Sequence, residues 1–214
     1  FAGYSGALDA GVLARLIAAL PQGAPGATAA HKRYDAAACA VEIPADVGFC
    51  ALGHNLYALG SSYSGACPVL SSLVSYGYLW NMVRVQGGAY GTGMNVRRSG
   101  DIFCYSYRDP NLDNTRAVFS TIADFIEDFA AQGMPLDDII IGAVNTTDPL
   151  LDPAGVCESQ CVRALKGVTP EELAKTRHEL LATKPADLAA MADVLRKYAR
   201  EGKFCTFSGT NGGA

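Results

Sequence analysis

An arginine, a tyrosine and four glycines share the stretch Arg84-Val85-Gln86-Gly87-Gly88-Ala89-Tyr90-Gly91-Thr92-Gly93. A guanidinium and a phenol six residues apart could grip one peptide carbonyl between them. The double glycine would let another chain come close to the backbone. The same letters suit a plainer purpose. The glycines then allow a tight helix-to-strand turn, Arg84 caps the carboxyl end of a helix, and Tyr90 packs. On these residues alone the plain turn is the simpler reading.

Other chemistries fit less well. A phosphate loop of the Walker kind needs Gly-Lys-Ser/Thr, and the stretch holds no lysine. A dinucleotide fingerprint needs strand, Gly-x-Gly-x-x-Gly, then helix. Here Val96 stands where the third glycine belongs, and the flanks are reversed. His178-Glu179-Leu180-Leu181-Ala182 starts like a zincin helix but ends on alanine. The inverted motif His-x-x-Glu-His is absent at His31, His54 and His178. One histidine cannot put two ligands a turn apart on zinc. Cys157 and Cys161 could share a helix face, yet no second ligand pair accompanies them, so two ordinary cysteines are the favoured reading. No Gly-x-Ser-x-Gly elbow occurs, since Gly60-Ser61-Ser62-Tyr63-Ser64 lacks its closing glycine. The sequence predicts no metal site and no cofactor within this chain.

Composition narrows the partners. Net charge is -4, the pI is near 5.3, and the longest basic run is the pair Arg97-Arg98. Nucleic acid needs a clustered basic face and is not expected as a partner. No apolar run nears the roughly 20 residues that cross a bilayer, so no membrane association is expected. Seven scattered cysteines, an odd count, predict free buried thiols in a reducing, intracellular setting, cytoplasmic or in an organelle matrix. The chain opens at Phe1 in mid-phrase and reads as an excerpt from something longer.

The elements that must position Arg84 and Tyr90 are legible by period. Residues 8–20 put Leu8, Val12, Leu13, Leu16, Ile17 and Leu20 on one helical face. Residues 21–33, rich in Pro, Gly and Ala, read as a linker. Strands follow at 34–43 and 47–55, the second apolar on both faces, as expected of a central strand covered by helices. From Ser64 to about Arg84 a long helix carries Val69, Leu73, Tyr76, Leu79, Trp80 and Val83 at three- and four-residue intervals. Beyond the glycines, a hairpin is predicted to turn at Ser99-Gly100. Helices are expected at 113–131 and 136–146, at a capping box opening on Thr169-Pro170-Glu171-Glu172, and from Pro185. A last strand spans 203–208. The fold class is α+β, a largely antiparallel sheet with helices on one face.

Taken together, YLWNMVRVQGGAYGTG, SGDIFCYSYRDPNLDNT, EIPADVGFCALGHNL, YSGACPVLSSLVS and the segment from IIIGAVNTTDPLLDPAG to GVTPEELAKTRHELL resemble the last domain of pitrilysin-type zinc metallopeptidases, in the presequence protease branch. The likeness covers roughly residues 34–200. It implies four similar α+β domains in two halves closing around a chamber, with the zinc motif in the first domain. It also implies that residues 1–33 connect to a preceding domain and that 34–214 form the C-terminal, non-zinc peptidase domain. Zinc is then expected in the N-terminal half of the same polypeptide, which becomes this chain's partner together with a peptide substrate. Carried over residue by residue, the family's R-x-x-G-G-A-Y falls on Arg84, Gly87, Gly88 and Tyr90. Arg84 and Tyr90 would hold the substrate backbone, and the Tyr90 hydroxyl would support the carbonyl oxygen as charge develops on it. This fragment alone is not expected to be active. A non-catalytic assembly relative of the same fold is the alternative.

Overall fold

A computed structural model describes residues 6–7, 9–21, 23 and 37–209. Most of the linker expected over 21–33, His31 within it, Leu8 and the strand opening at 34–36 lie outside the described residues. The chain divides into two compact units, 1–35 with 150–172 and 36–149 with 173–214.

The elements in chain order are α1 (Ala10–Ala19), β1 (Cys39–Glu42), β2 (Gly48–Asn55) and α2 (Ala66–Ser72). A π-wound continuation of α2 covers Leu73–Gln86 and leads to β3 (Gly91–Val96) and β4 (Asp101–Asp109). Then come α3 (Leu112–Ser120), α4 (Ile122–Ala131), α5 (Asp137–Thr147), α6 (Pro153–Leu165) and α7 (Pro170–Ala182). The chain closes with α8 (Pro185–Ala189), α9 (Ala192–Glu201) and β5 (Lys203–Ser208).

In the smaller unit, both helices start on an aspartate cap. Asp9 Oδ1 accepts from Gly11 N at 2.8 Å, and Asp152 Oδ1 accepts from Gly155 N at 2.8 Å. The apolar stripe of α1 does not reach a core: Val12, Leu16, Ile17 and Leu20 are exposed. Helix α6 lacks buried residues, which is why period alone did not announce it. Its Asp152-Pro153 start was the legible signal.

The larger unit carries one sheet in the order β1-β5-β2-β4-β3, antiparallel except where β1 runs parallel to β5. Helices cover one sheet face. Cys50, Leu52, Met94, Ile102 and Cys104 point into a core shared with Leu70, Val74, Phe119, Ile126 and Leu195. Tyr198 of α9 pins that face. Fully buried, it donates to Leu52 O at 2.7 Å and accepts from Cys104 N at 2.8 Å. Opposite the helices, β2 presents Phe49, Ala51 and Gly53 only half-buried, so this central strand is covered on one face and not on both.

Several elements differ from their sequence patterns. The helix expected at 113–131 is two, broken at Thr121 (φ -101°, ψ 6°). The Thr121 hydroxyl bonds back to Val118 O at 2.9 Å and meets Tyr78 Oη at 2.7 Å, a local partner that competes with the helical ladder. The helix from Pro185 is likewise two, α8 and α9. The capping box is made as expected: Thr169 N donates to Glu172 Oε2 at 3.0 Å, and Glu172 N donates to Thr169 Oγ1 at 3.2 Å. All seven cysteines are free, but only Cys50, Cys67 and Cys104 are buried. Cys39 is exposed on β1, and Cys157, Cys161 and Cys205 are half-buried.

Candidate functional site

The long helix delivers Arg84, and it does so with an unexpected winding. From Leu73 the backbone pairs five residues apart, a π form rare in proteins and frequent at functional sites. Its buried residues are Leu73, Val74, Leu79 and Val83, the last three spaced five and then four apart, between the α and π periods. The outward side carries Tyr76, 69% exposed, and Trp80, 40% exposed, where the α-period had placed both in the apolar stripe. Their ring centroids lie 6.4 Å apart, and the Arg84 guanidinium stacks 3.9 Å from the Trp80 ring centroid. Such stacking holds the cation flat and leaves its edge donors open. No ion pair neutralises Arg84 among the described residues.

The glycines then turn the chain. Arg84 O accepts from the N–H of Gly87 and, at 3.0 Å, from that of Gly88. A Cβ on Gly87 would come within 2.5 Å of Val83 O, so the close approach here is to the helix's own carbonyl. Gly88 sits at φ +82°, left-handed backbone that side chains disfavour. The next glycines serve neither purpose. Gly91 and Gly93 pair across the hairpin with Tyr107 and Tyr105. A Cβ on Gly91 would stand 2.1 Å from Tyr107 Cε1, and one on Gly93 3.0 Å from Tyr105 Oη. Gly91-Thr92-Gly93 is therefore a bed for two tyrosine rings. The alternation of glycine and tyrosine in paired strands was the signal that could have shown it.

Tyr90 is held by its backbone and one ring. Its N–H donates to Arg108 O at 3.2 Å, and its ring meets Tyr107 edge-on, with centroids 5.4 Å apart. The side chain is 60% exposed, and no described residue bonds its hydroxyl. Arg84 and Tyr90 line one open cleft with Gly88, Asp46 and Arg108. They also line a neighbouring groove with Tyr76, Trp80 and Tyr107. The structure thus brings Arg84, Gly88 and Tyr90 together, with Gly87 behind them in the turn.

Sequence reasoning missed Arg108 and Asp109. Arg108 is the one non-glycine described residue with positive φ, at 50°. Asp109, 1% exposed, anchors it. Its carboxylate accepts from Ser106 Oγ and Thr115 Oγ1, each at 2.6 Å, and from Asn111 N at 2.8 Å. Three bonds around a buried carboxylate fix the strand end, so the strained residue before it has nowhere to relax.

Among the described residues, no three His, Cys, Asp or Glu side chains gather as metal ligands, so the residues present do not fit a zinc ion. No helix among them is long and apolar enough to cross a membrane.

The domain is thus a sheet with helices on one face, whose long helix hands over to β3 through a turn that sets an arginine and a tyrosine on either side of a double glycine. Residues 39–207 match the family model of the PreP C-terminal domain, and the chain belongs to that family. It is 34% identical over 157 residues to presequence protease 1, chloroplastic/mitochondrial, of Arabidopsis thaliana, and 32% identical over 160 residues to protein HypA of Clostridium perfringens. These matches take in 73% and 75% of this chain but only 14% and 16% of those relatives' lengths. Among solved structures, a peptidase M16 inactive domain from Pseudomonas fluorescens superposes with a TM-score of 0.63 at 13% identity, over 95% of this chain and 51% of that one. Pitrilysin superposes at 0.50 and 13%, over 80% of this chain and 19% of that one. These two likenesses are of fold.

Proposed function

We propose that this chain is the substrate-gripping C-terminal domain of a zinc-dependent metalloendopeptidase that degrades peptides in a closed chamber. The observation that carries the reading is one cleft lined by a stacked guanidinium with no ion pair, and a phenol with no hydrogen bond, among the described residues. Arg84 holds backbone carbonyls of the peptide through its edge donors. The Tyr90 hydroxyl donates to the carbonyl oxygen under attack, where charge appears in the transition state. Gly88 provides the turn that sets the two side by side. Zinc belongs to the N-terminal half of the same polypeptide, which is this domain's partner. Residues 1–33 are the connection to that half, and 34–214 are the domain. The nearness of Ala36, where the sheet-bearing unit begins, supports that boundary, although 150–172 cluster with the leading segment. An intracellular setting, cytoplasm or organelle matrix, suits seven unbridged cysteines.

The test is steady-state kinetics on one fluorogenic peptide with the full-length protein. Tyr90→Phe should lower kcat about 10²–10³-fold and change KM less, since its bond is made mainly in the transition state. Arg84→Ala should act more on KM, because a cation on backbone carbonyls also binds the ground state. Wild-type kcat in a folded Tyr90→Phe would leave the tyrosine as packing. Full-length wild-type protein that is folded and cleaves no peptide would favour the assembly relative.

A further inference from the structure

We infer that Arg108 is a specificity-determining residue of this cleft and takes a carboxylate of the bound peptide, an acidic side chain or the C-terminus. The inference rests on the gripping reading of Arg84 and Tyr90 and extends it to a third side chain.

Three observations point the same way. The first is placement: Arg108 lines the cleft of Arg84 and Tyr90, and its guanidinium carbon lies 5.9 Å from the Tyr90 ring centroid. At that separation ring attraction is near its outer limit and leaves the N–H donors uncommitted. The second is charge. No described residue makes a hydrogen bond or ion pair with the Arg108 guanidinium. Two arginines therefore face a cleft whose lining includes a single carboxylate, Asp46, and Asp46 forms an ion pair with neither. Carbonyls are neutral and satisfy one guanidinium with little cost. A second positive charge in the same space is matched by an anion, and a planar fork of donors fits a carboxylate with two parallel bonds.

The third is backbone. A residue with a side chain at φ 50° is held against its preference, and Asp109 beside it, buried with three hydrogen bonds, is what holds it. Were Arg108 needed only as a strand residue, an asparagine or glycine would satisfy the left-handed position with less strain. The same twist turns Arg108 O to the Tyr90 N–H, so the strained residue places both the phenol and its own cation.

The experiment uses the full-length protein and three fluorogenic peptides that share one scissile sequence: a free C-terminal acid with a neutral body, its C-terminal amide, and an amide carrying Glu near the cleaved bond. Arg108→Gln removes the charge and keeps the length. One of the two carboxylate-bearing peptides should lose about ten- to a hundredfold in kcat/KM, as for a charged hydrogen-bonded partner, while the neutral amide loses only a few-fold. Which peptide it is tells a C-terminal carboxylate from an acidic side chain. Arg108→Lys should recover part of the preference, because charge returns without the fork. An equal loss on all three peptides, or no loss on any, overturns the inference. Tyr90→Phe measured alongside keeps the two readings apart: if its kcat stays at the wild-type value, the gripping site fails, whatever Arg108→Gln does.

Discussion

At the scale of single residues, burial decides what the thiols can do. Burial pushes Cys104 up to about 12 and Cys50 up to about 11, from an ordinary thiol value of 9.0. Hydrogen bonds to Tyr198 and Ser106 only partly offset the burial. The unfolded chain loses these protons near 9.0, while the folded chain keeps them. Their contribution to stability is therefore complete below about pH 9 and is lost as pH rises toward the folded values. The slope reaches about 1.4 kcal/mol per pH unit for each thiol. Urea midpoints measured upward from neutral pH should fall above about pH 9, and a Cys50→Ala/Cys104→Ala variant should fall less steeply. Identical slopes in the two proteins would show that these thiols stay out of the linkage. Residue types at this scale were legible only in part. Arg84 and Tyr90 stood out by type and spacing. Arg108 did not, because its meaning lies in a backbone angle and a neighbouring buried carboxylate that no local pattern encodes.

At the scale of elements, the outer edge of β3 is filled from the helix beside it. Ser75 Oγ accepts from Met94 N at 2.9 Å and donates to Met94 O at 3.3 Å, and Ser71 Oγ accepts from Val96 N at 3.0 Å. Removing both hydroxyls strands three backbone groups in partly buried surroundings, at about 1–3 kcal/mol each. Ser71→Ala/Ser75→Ala should lower Tm by several degrees and raise light scattering on heating. A wild-type Tm would mean that water replaces both hydroxyls. Strands β2, β4 and β5 and the hairpin were readable because alternation and turn residues are local properties. The π winding was not, since Tyr76 and Trp80 fit an α-helical stripe on paper and face outward in the fold. The break at Thr121 was equally hidden, because it needs the Tyr78 hydroxyl from another helix.

At the scale of the whole molecule, the domain holds a cleft and, among the described residues, no metal-ligand set. The chain alone is expected to fold, to hold no stoichiometric zinc and to cleave no peptide. Metal analysis of protein purified without a metal-binding tag checks this, and one tightly held equivalent would overturn the division of labour between the halves. The α+β class followed from the succession of periods, strands before and after helices, and the sheet bears it out. The smaller unit was less legible, because the apolar stripe of α1 predicts a buried face and the helix has none.

A monomer with two reactive ends propagates a polymer, whereas a monomer with one end stops it at a pair. Sheets that join between molecules obey the same arithmetic, since each copy must offer two open edges for a stack to lengthen. In this five-stranded sheet the terminal strand β3 already has three of its outward backbone groups, Met94 N, Met94 O and Val96 N, bonded by serine hydroxyls, which leaves β1 as the more open edge. Growth through the β3 end is thereby opposed while Ser71 and Ser75 stay in place, and the Ser71→Ala/Ser75→Ala variant would hand the sheet its second open end.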